Sequence, residues 1–219
     1  VVIDIPVGPT AKVRDDQAAM RLSRRMKTVG HLLGLKLSVE TTDGRQPVGY
    51  GIGPALEARD VLAVLQSSPS APTDLRQRAV QLAGAVLDAA GSTSNGAGVE
   101  LARSTLDSGR AWTKFRAICE AQGGMREPPE APLREEIPAQ RSGRVVQIDN
   151  RRLARIAKLA GAPRDPSAGA VIHVRLGDRV SEGQPLLTLH AESPGELRYA
   201  LDYMSRSSPI FRIEQDRES

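Results

Sequence analysis

The chain has 219 residues, of which 40% are apolar and 26% are charged, a balance typical of a folded globular protein. Its net charge of +4 and its one Trp, three Tyr and two Phe residues argue against the basic, aromatic-rich surface of a nucleic-acid-binding protein. No apolar run approaches the about 18 residues of a membrane span, and the single Cys119 excludes an internal disulfide, so we expect a cytoplasmic protein that binds neither membranes nor nucleic acids.

The first half of the chain is predicted to form a strand–helix–strand unit followed by helices. Residues 1–8 are apolar and β-branched, as in a buried strand. Apolar residues recur at three- and four-residue steps over 15–33, which predicts a helix, and residues 35–42 alternate between apolar and polar, which predicts a second strand. This order indicates a partial α/β domain with a crossover between strands. Further helices are predicted over 56–65, 73–91, 96–107 and 110–121.

A stretch rich in Gly and Pro, residues 122–140, separates the two halves of the chain. Since these residues break helices, we predict a linker over 126–140, between a first domain at 1–125 and a second at 141–219. The second domain is predicted to be a small α+β domain. Its strands are expected over 143–149, 170–176 and 184–191, and its helices over 151–159 and 196–204.

The chain opens directly on the strand pattern of residues 1–8, without an initiating Met or a signal peptide. Proteins rarely begin inside a core strand. We therefore expect this chain to be the C-terminal portion of a longer protein.

Several segments carry a resemblance to one enzyme family. In the first half they are DIPVGPTAKV at 4–13, TDGRQP at 42–47 and GPALEARD at 53–60. In the second half they are SGRVVQID at 142–149, LARIA at 153–157, AGAP at 160–163, LGDRV at 176–180 and GQPL at 183–186. With these segments in order, the chain resembles the pyrimidine-nucleoside phosphorylases, and most closely the bacterial thymidine phosphorylases that are related to archaeal AMP phosphorylase.

The resemblance implies phosphorolysis, in which inorganic phosphate displaces a pyrimidine base from the sugar and leaves a sugar 1-phosphate. It implies nucleoside and phosphate as substrates, no cofactor, and a homodimer in the full-length protein. Family members have a helical domain, an α/β domain and a small C-terminal domain. The phosphate-binding loop would lie upstream of this chain, so we expect the 219 residues alone to be inactive.

Asp43 is the predicted catalytic residue. It follows a predicted strand in a glycine-rich loop, where α/β enzymes place their ligands. In the related AMP phosphorylases, the matching Asp is the proton donor to the leaving base. A carboxyl group that donates a proton at neutral pH needs a raised pKa, which burial would supply. Asp43 followed by Gly44 is also typical of a simple turn, so a structural role stays open.

Three further residues are predicted to bind substrate: Lys12, Gly49 and Gly51. The glycines could let the backbone approach a ligand, although they would equally suit a flexible loop. Gly51 stands where some AMP phosphorylases have a Ser that contacts the nucleotide, which weakens the case for AMP as the substrate. Lys12 could favour a phosphorylated or more polar substrate, or could simply be a solvated side chain at a loop end.

The sequence was also considered for a metal site and for a carrier lysine. The three histidines, at positions 31, 173 and 190, have no metal-ligand spacing, so no metal site is predicted. Residues 177–186 also resemble half of a biotinyl or lipoyl carrier domain, which indicates a barrel-sandwich architecture for the second domain. A carrier needs a lysine at a hairpin tip, and the lysine of the second domain, Lys158, falls on a predicted helix.

The sequence thus predicts a thymidine phosphorylase, present as an inactive C-terminal fragment. Two alternatives stay open. One is a nucleoside-monophosphate phosphorylase of the AMP type, and the other is a non-catalytic binding or oligomerisation module.

Overall fold

The structure of the chain, a computed structural model, describes residues 1–93 and 96–215. The chain divides into two compact units. Unit 1 comprises Val1–Gly44 and Val61–Arg126, and unit 2 comprises Arg45–Asp60 and the chain from Glu127 onward.

The described residues form both helices and strands, so the protein has mixed α and β structure. The helices are α1 (Asp16–Leu32), α2 (Pro54–Leu65), α3 (Thr73–Ala89), α4 (Gly98–Asp107), α5 (Arg110–Ala121), α6 (Asn150–Leu159) and α7 (Pro194–Arg206). The strands are β1 (Val2–Val7), β2 (Ser38–Asp43), β3 (Gly51–Ile52), β4 (Leu133–Pro138), β5 (Gly143–Ile148), β6 (Gly169–Ile172), β7 (Arg179–Val180), β8 (Pro185–Ala191) and β9 (Phe211–Glu214). In the described parts of the chain, no helix is both long and apolar enough to span a membrane.

Unit 1 contains the predicted strand–helix–strand arrangement. Strands β1 and β2 pair in parallel, with Val7 opposite Asp43 at their carboxyl ends, and α1 connects them. Helix α1 begins where the Asp15 carboxylate accepts a hydrogen bond from the N–H of Ala18 at 2.7 Å. It is followed by Gly34, whose φ of 68° lets the chain leave the helix. The predicted strand–helix–strand arrangement is confirmed.

The remaining helices of unit 1 pack around a small apolar core. Its buried members are Val64, Val80, Ala102 and Leu106. Helices α3 and α4 lie unusually close together, because a Cβ atom on Gly84 would be only 2.6 Å from the backbone nitrogen of Val99. A side chain at that position would push the helices apart.

Unit 2 is built from two antiparallel sheets. One has the strand order β3-β6-β8-β4 and the other β7-β5-β9. Strand β8 lies between β6 and β4 and is buried from Leu186 to Ala191, so it forms the centre of its sheet. The N-termini of α6 and α7 are capped by Asp149 and Ser193. The largest fully buried side chains of its core, among the described residues, are Ile148, Leu153, Ile156, Ile172, Leu187 and Leu189. The barrel-sandwich assignment stays a prediction.

The spatial units differ from the predicted domain boundaries in two places. Residues 45–60, predicted as part of the domain at 1–125, group with unit 2 because β3 pairs with β6. The segment 126–140, predicted as a linker, contains β4, which pairs with β8 over its whole length. Its prolines do favour extended backbone, and that extended backbone pairs with β8 as a strand.

Short strands account for most of the elements that the sequence pattern did not predict. They are β3, β4, β7 and β9. Runs of two to six residues carry too little periodicity to be recognised, and pairing partners distant in the chain stabilise them. The helix predicted over 73–91 is α3, which begins at Thr73 with Pro72 at the capping position.

Candidate functional site

The carboxyl ends of β1 and β2 hold two of the four predicted site residues. Asp43 is the last residue of β2, and Lys12 lies in the segment that follows β1, next to the bridge between Val7 and Val13. Because parallel strands end at the same edge of a sheet, these two segments lie together in unit 1. Both side chains are exposed at this edge.

An arginine from α3 fixes the backbone at Asp43. The guanidinium of Arg78 donates one hydrogen bond to the carbonyl oxygen of Asp43 at 2.7 Å and another to the carboxylate of Asp4 at 3.2 Å. The hydroxyl of Thr42 donates to the other carboxylate oxygen of Asp4 at 2.6 Å. One polar network thereby joins β1, β2 and α3.

Sequence reasoning did not identify Arg78 or Asp4. Asp4 lies within an apolar strand, and Arg78 is one of two arginines in α3. Only their tertiary placement gives them a common role, so the sequence pattern holds no local signal for it.

The turn after Asp43 is packed tightly onto β1. The N–H of Gly44 donates to the carbonyl oxygen of Val7 at 2.8 Å. A Cβ atom on Gly44 would lie 2.9 Å from the carbonyl carbon of Pro6, so this position requires glycine. The side chain of Asp43 is exposed, and the burial expected for a proton donor is therefore not provided by the described residues.

The other two predicted residues, Gly49 and Gly51, lie in unit 2. Gly49 is buried with a φ of 78°, and its carbonyl oxygen accepts a hydrogen bond from Arg175 at 2.8 Å. The N–H of Gly51 donates to the carboxylate of Asp60 at 2.7 Å. A Cβ atom on Gly51 would lie 2.5 Å from the carbonyl carbon of Leu56, which excludes any side chain, including serine, without rearrangement.

Arg175 organises this glycine-rich loop and was not predicted. Its guanidinium donates to the carbonyl oxygens of Pro47 and Gly49 and lies 4.7 Å from the centre of the Tyr50 ring. The loop is therefore held within unit 2 by several contacts. The structure groups Asp43 with Lys12 and Gly49 with Gly51, each pair within its own unit.

Unit 2 also contains a buried histidine beside two arginines. His190 in β8 is only 6% exposed. Burial, and then the positive charges of Arg134 and Arg59, lower the pKa of His190 to about 4. The imidazole is therefore neutral at physiological pH. Among the residues that the structure describes, no group of three or more His, Cys, Asp or Glu side chains could hold a metal ion.

Comparison with known proteins finds a family domain in the second half of the chain and relatives that match nearly its whole length. Residues 144–211 match the pyrimidine nucleoside phosphorylase C-terminal domain. The chain is 57% identical over 99% of its length to a protein of Acidovorax sp. (strain JS42) named "Putative thymidine phosphorylase 1". It is 58% identical over 98% of its length to a "Putative thymidine phosphorylase" of Chelativorans sp. (strain BNC1). In each case it spans 42% of the relative's length.

These matches cover both units of the structure, from the edge that holds Asp43 to the sheets of unit 2. The chain belongs to the pyrimidine-nucleoside phosphorylase family.

Proposed function

We propose that a protein carrying this sequence catalyses the phosphorolysis of thymidine, giving thymine and 2-deoxyribose 1-phosphate. The observation that carries the proposal is the position of Asp43 at the carboxyl end of two parallel strands, with its backbone held by Arg78. That edge is where α/β proteins bind substrates. The names of the relatives support the choice of thymidine.

In the proposed reaction, a phosphate oxygen attacks the anomeric carbon and the bond between that carbon and the base nitrogen breaks. The bonding electrons leave with the base, so negative charge develops on the pyrimidine while positive charge develops on the sugar. Protonated Asp43 donates its proton to the departing base and becomes a carboxylate. Phosphate is itself the nucleophile, so the reaction needs no cofactor.

The network around Asp43 supports this role by fixing the position of its backbone. Proton donation requires the donor to lie within hydrogen-bond distance of the base in the transition state. A bound nucleoside that covers the exposed carboxyl group would remove it from water and raise its pKa. Lys12, in the neighbouring segment, would stabilise anionic or polar parts of the substrate.

A nucleoside monophosphate is the second candidate substrate, and Lys12 is the residue that favours it. A cation near the carboxyl ends of β1 and β2 would attract the additional phosphate group. Against it, Gly51 leaves no room for the serine found at this position in some AMP phosphorylases. We therefore favour the unphosphorylated nucleoside.

We propose that the protein is a cytoplasmic homodimer at the full length of its relatives, with nucleoside and inorganic phosphate as its substrates. The alternative is a non-catalytic module for binding or oligomerisation.

Product analysis distinguishes these possibilities. A protein containing this chain at the length of its relatives is incubated with phosphate and either thymidine or AMP. Release of thymine and deoxyribose 1-phosphate is the expected result, and release of adenine from AMP alone would favour the second candidate. Release of neither base would favour the non-catalytic module.

A further inference from the structure

A pocket lies within unit 2, and every described residue that lines it belongs to that unit. Its volume is about 520 Å³, within the range of small-molecule sites. One wall is apolar and is formed by Leu56, Val171 and Ile172. The charged side chains of Arg59 and Arg134 also line the pocket. A pocket with one apolar wall and convergent cations suits a ligand with an organic body and an anionic group.

The two arginines share one carboxylate. Arg134 in β4 donates to one oxygen of Glu130 at 2.6 Å, and Arg59 lies 4.0 Å from the other oxygen. Arg59 is also anchored by the carbonyl oxygens of Pro128 and Pro129, at 3.1 and 2.7 Å. The guanidinium groups are therefore arranged to hold an oxyanion between them, and Glu130 occupies that position.

Glu130 is suited to leave this position. Its side chain is 71% exposed, and it precedes β4 rather than belonging to a strand or helix. Exposed ion pairs contribute little stability, so moving the carboxylate into solvent costs little. The second acid of the pocket, Asp60, is engaged instead by the N–H groups of Tyr50 and Gly51, at 2.6 and 2.7 Å.

Two histidines complete the polar side of the pocket. His190 stands opposite Arg134 in the pairing of β4 with β8. Within the described residues, its buried Nδ1 has no hydrogen-bond partner, so an unsatisfied polar atom lies at the wall of the pocket. The Nε2 of His173 lies 2.7 Å from the hydroxyl of Thr188, which orients that ring. The imidazole of His190 is thus a hydrogen-bonding group without a partner among the described residues, across from Arg134.

We propose that this pocket binds a small organic phosphate, whose phosphate group replaces the Glu130 carboxylate between Arg59 and Arg134 and whose organic body packs on the apolar wall. A phosphate monoester carries close to two negative charges at neutral pH, whereas the glutamate carries one, so the ligand competes well for the guanidinium groups. Inorganic phosphate alone would leave the apolar wall uncovered. Of the residues predicted to bind the nucleoside, Gly51 also lines this pocket, whereas Asp43 and Lys12 do not.

Calorimetric titration of the 219-residue chain tests the proposal without an activity assay. Ribose 5-phosphate, inorganic phosphate and ribose are titrated at one fixed ionic strength. We expect ribose 5-phosphate to bind and the other two to bind more weakly. If inorganic phosphate binds as tightly as ribose 5-phosphate, the organic body plays no part and the proposed ligand class is wrong.

Two substitutions and a control identify the site. Arg134→Gln should weaken ribose 5-phosphate binding about tenfold or more, since it removes a charge-assisted hydrogen bond. Glu130→Gln should tighten binding about two- to fivefold, because it removes the competing carboxylate from an exposed position. The control is Arg212→Gln, which breaks an exposed ion pair with Glu214 elsewhere in unit 2 and should leave binding unchanged.

The outcome of Glu130→Gln decides between a ligand site and a structural ion pair. Glu130 is exposed, so the variant should fold and keep its melting temperature. Unchanged or weaker binding in this variant would overturn the proposal, as would the absence of ribose 5-phosphate binding in the parent chain.

Discussion

At the scale of single residues, the polar contacts of Arg78 fix the backbone that carries Asp43. Arg78 and Asp4 form a largely buried ion pair, with side chains 17% and 24% exposed. Removal of one partner from such a pair leaves the other charge without compensation in a poorly hydrated place. The position of Asp43 thus depends on a residue that lies 35 positions further along the chain.

Arg78→Gln should destabilise unit 1. The substitution removes the ion pair with Asp4 and weakens the hydrogen bond to the Asp43 carbonyl. We therefore expect the free energy of unfolding to fall by about 1–3 kcal/mol. Urea denaturation measures the change. Arg103→Gln is the matched control, because its ion pair with Glu100 is exposed and its loss should cost less than about 0.5 kcal/mol. If the two substitutions lower stability equally, Arg78 does not stabilise unit 1 through these contacts.

Gly51→Ala should destabilise unit 2. The new methyl group would lie 2.5 Å from a backbone carbon of Leu56, which has no flexible end that could move aside. We expect the free energy of unfolding to fall by about 1–3 kcal/mol, as for other overpacked positions. The control is Gly195→Ala in α7, where nothing lies within 4 Å of the added methyl group and alanine favours the helix. If both variants melt at the same temperature, the claim that Gly51 has no room for a methyl group is wrong.

At the scale of elements, hydrophobic periodicity predicted the longer helices and the paired strands β1 and β2. Residues 15–33 carry enough apolar repeats to indicate a helix, and α1 spans Asp16–Leu32. Strand β4 was missed because its charged residues and flanking prolines are typical of a loop. Its pairing with β8 depends on residues about 50 positions away, which no local pattern contains.

The same limit applies to the candidate site. Asp43 was predicted from its position after a strand, and its place at the end of β2 agrees with that interpretation. Its catalytic role stays a prediction. Arg78 and Arg175 could not be predicted, because their functions depend on contacts with carbonyl oxygens that are far away in the sequence.

The pairing of β4 with β8 should make stability depend on pH. The pKa of His190 is lowered to about 4 in the folded protein, from about 6.5 in the unfolded chain. Between these values only the unfolded state takes up the proton, so stability falls as the pH falls from about 6.5 to about 4. The expected slope from this residue is at most about 1.4 kcal/mol per pH unit.

Urea denaturation at several pH values, compared with His190→Gln, measures this contribution. Carboxylates also protonate below pH ~5, and the comparison removes their effect because it leaves them unchanged. The variant should lose less stability than the parent chain between pH ~6.5 and ~4. Identical pH profiles would show that His190 is not held neutral.

At the scale of the whole molecule, the chain contains the strand edge proposed for base departure. The curated relatives it matches are longer, and it spans 42% of their length. Catalysis of this kind depends on holding phosphate and sugar together in the correct geometry. The resemblance predicts that another part of the relatives' length forms the phosphate-binding loop.

The isolated 219-residue chain should therefore show no phosphorolysis. Incubation with thymidine and phosphate, followed by chromatographic detection of thymine, should give no signal above a reaction without protein. A boiled sample and a full-length preparation serve as negative and positive controls. Measurable turnover by the isolated chain would mean that it holds a complete phosphate site.

The central claim, that Asp43 donates a proton to the leaving base, is tested most directly by Asp43→Asn in a protein of the relatives' full length. Asparagine keeps the size and the turn-forming hydrogen bonds of aspartate but has no acidic proton. Steady-state kinetics on thymidine should show kcat reduced about 10²- to 10⁴-fold with little change in KM, and the melting temperature should stay the same. A stably folded variant that loses less than about fivefold in kcat would contradict the claim and leave Asp43 as a turn residue.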